Sequence, residues 1–83
     1  MSHSDRVRKY CMENYIIPVR KKGIYSVSIR AGDVHREMNY KNRLPLVCSA
    51  LGIKKFEDMA HVERISIDGP TNGANTIFTF KLL

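Results

Sequence analysis

The chain has 83 residues, 43% of them apolar and 27% charged, with a formal net charge of +6. That length makes one small domain with a modest core; the apolar content excludes a disordered chain, and no apolar run reaches the roughly 18 residues that span a membrane. The charge is uneven, +4 over residues 1–23, +4 over 24–55 and −2 over 56–83, which points to an anionic partner against the plainer reading of solubilising charge.

From Ser4 to about Tyr15 the sequence predicts a helix, with Val7, Tyr10, Cys11, Asn14 and Tyr15 at the three- and four-residue spacing of one face. Ser2 or Ser4 can cap it, and Asp5 sits in the first turn, where the helix dipole favours an acid. Pro18 is expected to end or kink this helix, and Gly23 to stop it. Tyr25 to Ile29 alternates as a half-buried strand. Ala31 to Met38 reads as a short helix with Ala31, Val34, His35 and Met38 on one face. Asn39 follows at the turn, because asparagine tolerates the left-handed conformation, and Tyr40 is an apolar plug between helices.

A third helix is expected from Asn42 or Arg43 to Leu51, with Pro45 in its first turn and Leu44, Val47, Cys48 and Leu51 facing inward. Pro45, Leu46, Ser49, Ala50 and Ile53 then face outward. Phe56 to Ala60 is read as one more helical turn. Val62 to Asp68 and Thr76 to Leu82 are predicted strands around the turn-forming run Gly69 to Asn75, with Phe78, Phe80 and Leu82 inward.

The order helix, strand, helix, helix, strand, strand resembles the winged helix-turn-helix superfamily, an α+β fold, over nearly all of residues 1–83. The likeness is closest from Ile29 to Leu51, where Met38-Asn39-Tyr40 occupies the turn and Leu44, Val47 and Leu51 anchor the helix after it. The usual glycine of that turn is here Asn39. The phrases AGDVH, NRLPLVCSAL and GPTNGANTIFTF also resemble a small uncharacterised prokaryotic domain.

The winged-helix resemblance implies double-stranded DNA binding, with the third helix led into the major groove by its N-terminal residues. Arg43 and Asn42 lie where they would read guanine and adenine. Lys41, Arg30, Arg36, Lys54 and Lys55 would hold phosphates, and Leu46 and Ser49 would lie along the groove. The plainer readings are that Asn42 caps the helix, that Arg43 is solvated, that Arg36 pairs with Asp33, and that Lys54 and Lys55 answer a helix dipole. One copy presents one short reading helix, so a homodimer is expected. A protein partner, docked on the apolar outer face Leu46, Ser49, Ala50 and Ile53, is the alternative. The loop Gly69 to Asn75 carries no Lys or Arg to grip DNA.

Nothing in the sequence assembles a catalytic or metal site. Asp33 and Glu37 each lie two residues from His35 on a helix and do not face it, so His35 reads as a packing residue. Cys11, Cys48, His35 and His61 lack zinc-ligand spacing, and no cofactor motif is present. Two cysteines fit reduced, buried thiols better than a disulfide framework. MSHSDRVRKY is not followed by a signal-peptide core, and a cytoplasmic location is expected.

Overall fold

The computed structural model describes residues 2–83. Ser2 starts the first helix, α1 (His3–Cys11): its Oγ accepts the Asp5 N–H at 3.1 Å and satisfies one of the amides that every helix start leaves open. The helix does not end before Pro18. It passes through a π-helical turn, Met12–Ile16, into α2 (Ile17–Lys21). Proline has no N–H, and its ring crowds the carbonyl four residues back; the wider turn just before it lets the helix continue. The π turn also resets the buried stripe. Cys11 and Ile16 are both fully buried, although five residues on a regular α-helix would set them about 140° apart. Asn14, expected inside, is exposed and donates its side-chain amide to the Tyr10 carbonyl.

Gly23 closes α2 at φ +72, with the Gly23 N–H on the Arg20 carbonyl and the Ile24 N–H on that of Val19. This is the paired bonding of a Schellman cap. Strand β1 (Ser26–Arg30) leads directly into α3 (Ala31–Glu37). The same cap recurs there: Asn39, at φ +59, donates to Arg36, and Tyr40 donates to His35.

The next helix, α4 (Leu44–Gly52), starts later than the sequence predicts. A start at Asn42 would place Pro45 where an N–H must bond back to Lys41, and proline has none. Asn42 instead takes φ +54 and Arg43 becomes the N-cap. The helix-to-helix turn therefore runs from Met38 to Arg43 rather than over three residues, and Asn42 does not cap α4 with its side chain. Ala50, expected outside, is 1% exposed because α1 lies across that face; Arg8, itself buried, reaches the Ala50 carbonyl. The expected single turn after α4 is a full helix, α5 (Lys54–Ala60), ended by His61 at φ +59.

Strands β2 (Val62–Asp68) and β3 (Ile77–Leu82) complete an antiparallel sheet in the order β1-β3-β2. Ile29 pairs with Phe78, Val27 with Phe80, and Val62 with Leu82. As period-two alternation requires, this face turns to the helices and packs Phe80 against Phe56, ring centres 5.2 Å apart. The other face carries the Ser28–Thr79 hydroxyl pair. Ile65 is the extra residue of a β-bulge between Arg64 and Ser66 and is left exposed. The fold is α+β, helices on one face of a three-stranded antiparallel sheet. No helix among the described residues is long and apolar enough to cross a membrane.

Candidate nucleic-acid interface

Lys41, Asn42 and Arg43 form the end of the turn that leads into α4, and all three are exposed. Among the described residues, no ion pair involves Lys41 or Arg43. No side chain of the turn caps α4; Pro45 has no N–H and the Arg43 N–H is taken by His35, so the amides left open at this helix start are those of Leu44 and Leu46. Two left-handed asparagines, Asn39 and Asn42, set the path of the turn, and both conformations are ones asparagine adopts at small cost.

The turn is also held from outside. The Arg43 backbone N–H donates to Nε2 of His35 on α3, at 3.1 Å. His35 is half-buried and tilted against the Tyr40 ring, whose other neighbour is His3 of α1. The sequence gives His35 only a packing role. The bond spans eight residues across a turn and leaves no periodic signature.

Other expected contacts are already engaged. Arg30 donates to Asp33 at 2.9 Å and to the Asn75 side chain at 2.6 Å, and Arg36 lies 3.3 Å from the same Asp33 oxygen. Arg36 is 70% exposed, and an exposed pair at this spacing contributes only a few tenths of a kcal/mol. Lys55 turns to Asp5 of α1 at 3.1 Å. Lys54 shares a shallow pocket with Glu57, Asp58 and Glu63. The structure therefore gathers Lys41, Asn42 and Arg43 at one place, leaves Arg30 and Arg36 around Asp33, and sets Lys54 and Lys55 elsewhere.

Ser49 is exposed, whereas Leu46 is half-buried. Ser49 lines a cleft of about 340 Å³ with Cys48, Gly52, Ile67, Phe78 and the hairpin loop residues Gly69 to Asn72. The loop thus stands beside the C-terminal half of α4. It is braced: the Ala31 N–H donates to the Thr76 carbonyl and the Gly32 N–H to that of Ala74, both at 2.9 Å. Buried Thr76 accepts the Gly73 N–H at 3.1 Å and donates to the Pro70 carbonyl. Asn75 is committed to Arg30, while Thr71 and Asn72 face solvent.

Two thiols and two phenols lie off this surface. Burial pushes the Cys11 thiol up to about 12 and raises that of Cys48, so neither is a ready nucleophile; both are free and buried. Tyr10 and Tyr15 both donate to one oxygen of Glu37, at 2.7 and 2.9 Å. That bond pushes the Tyr10 phenol up to about 12, while burial, followed by the same carboxylate, raises Tyr15. The trio pins α1 and the π turn to the end of α3. No family model matches the chain, and no curated protein or solved structure matches it either.

Proposed function

We propose that the protein binds double-stranded DNA through the leading end of α4, as a winged helix-turn-helix domain. One observation carries this reading: Lys41 and Arg43 stand exposed and without acidic partners at the uncapped N-terminus of α4. The open amides of Leu44 and Leu46 and two cations at one helix start suit a phosphate. Arg43 and Asn42 are of the types that bond guanine and adenine edges two-pronged. Lys41 holds backbone, and Thr71 and Asn72 on the braced loop approach a neighbouring phosphate. Helices α3 and α4 on one face of a small antiparallel sheet that ends in a hairpin fit the layout that the sequence resembles, with α5 inserted before the hairpin.

The test is fluorescence anisotropy with a labelled mixed-sequence duplex. Arg43→Ala is expected to weaken binding about tenfold or more and to relax sequence preference, from a discrimination of about 1–3 kcal/mol per two-pronged contact. Lys41→Ala is expected to weaken all sequences alike and to lower the salt slope by about one. Arg43→Ala binding as tightly as wild type contradicts the assignment.

A protein partner is the second reading. With Ala50 buried and Leu46 half-buried, less of the outer face of α4 is open than the sequence predicts. Ile53, Ile65 and Ile67 are instead about half exposed, and Ile67 lines the cleft beside α4. Binding there would resist salt, whereas phosphate contacts weaken steeply with it.

A further inference from the structure

We propose that His35 is a positioning residue for the leading end of α4, and that protonation of its imidazole releases this end and weakens nucleic-acid binding. The inference rests on the reading of Lys41 to Arg43 as the contact surface. Its starting point is the 3.1 Å bond from the Arg43 N–H to Nε2 of His35. Arg43 is the N-cap of α4, so this bond fixes the residue whose side chain leads the helix, and it does so from another helix. A backbone amide only donates, so Nε2 must carry a lone pair, and the ring proton sits on Nδ1. A second proton on the ring turns acceptor into donor and sets two N–H groups against each other.

The surroundings offer the imidazolium no other role. On α3, Asp33 is shared by Arg30 and Arg36, and Glu37 is held by Tyr10 and Tyr15. The turn adds two further cations, Lys41 and Arg43, and the Tyr40 phenol. Across the Tyr40 ring lies His3 of α1. From β1 the one charged side chain is Arg30, already paired, and from α4 the one titratable group is the Cys48 thiol. Among the described residues of α3, neither carboxylate is uncommitted and able to hold a charged ring in place. The proton's cost therefore falls on the bond to Arg43, and the turn loses its outside anchor. Imidazoles exchange this proton between about pH 5 and 8.

The experiment uses the whole chain, ¹⁵N-labelled, with His35→Gln beside wild type. The Gln carbonyl can accept the same N–H and does not titrate. Without nucleic acid, the Arg43 amide resonance is expected to move with the His35 ring resonances from pH 8 to 5, at one midpoint, and to stay still in His35→Gln. With a mixed-sequence duplex at constant ionic strength, wild-type affinity is expected to fall about fivefold from pH 7.5 to 5.5, as for one lost hydrogen bond. His35→Gln should not show this fall. An Arg43 amide that ignores the titration of His35 overturns the proposal, as does a fall of equal size in His35→Gln. So does tighter wild-type binding in acid, the result expected if the added charge alone mattered. Duplex binding with an unmoved Arg43 amide sinks the gating alone. A tracking amide with no duplex binding at either pH sinks the interface reading, and the gating with it.

Discussion

Asp5 shows how much one half-buried carboxylate can organise. It accepts from Arg8 at 2.7 Å and from Lys55 at 3.1 Å, and it takes the Ser2 hydroxyl that caps its own helix. The bond from Arg8, then that from Lys55, holds its carboxyl well below the usual carboxylate range. A carboxyl lowered on folding contributes stability that is complete above its unfolded value, about 3.9, and is lost as the pH falls below it. The wild-type urea midpoint is therefore expected to drop between pH 5 and 2 by more than that of Asp5→Asn, which lacks this component. Equal acid sensitivity in the two proteins would show that the triad contributes nothing. Arg8 itself is 4% exposed with its Nε unpaired, so its value lies in orienting α1 on α4 rather than in net attraction.

Among the elements, the hairpin loop and α3 are fitted with little slack. A Cβ on Gly32 would come within 2.7 Å of the Ala74 carbonyl oxygen and 3.0 Å of Arg30 Nη1. Gly32→Ala is expected to push the loop off α3 and to cost about 1–3 kcal/mol, with faster amide exchange at Gly32 and Thr76. An unchanged melting temperature would mean that the loop yields freely. In the π-turn helix, Ile16→Ala should cost about 2–5 kcal/mol by opening a cavity in a fully buried position, measured by urea unfolding. A loss below about 1 kcal/mol would mean that Ile16 is not in the core.

These elements also mark what a sequence makes legible. The caps at Gly23 and Asn39 and the inward row Phe78, Phe80, Leu82 follow from chemistry within a few residues, and they stand where the residue pattern puts them. The π turn, buried Ala50 and late start of α4 do not. Cys11 and Ile16 break the α-helical spacing, Ala50 is covered by a distant helix, and Pro45 forbids a bond that periodicity ignores. The candidate interface was legible as a group of side chains, Lys41 to Arg43. It was not legible as a geometry, because the bond from Arg43 to His35 and the ion pairs of Arg30 and Lys55 depend on packing across elements.

For the whole molecule, charge and shape divide the labour. The acidic side chains Asp33, Asp5 and Glu37 are consumed within the helical part, while Glu57, Asp58 and Glu63 line a pocket with His61 and Lys54. The leading end of α4 carries Lys41 and Arg43 without acidic partners among the described residues, and the cleft lies at the other half of the same helix. The most direct measurement is an NMR titration of labelled protein with a short mixed-sequence duplex, at low salt and again at moderate salt. The expected result is amide shifts concentrated from Lys41 to Leu46, with smaller ones at Thr71 and Asn72, all fading as salt rises. No shifts at low salt, or shifts confined to Ile53, Ile65 and Ile67 that persist at moderate salt, would contradict DNA binding through α4.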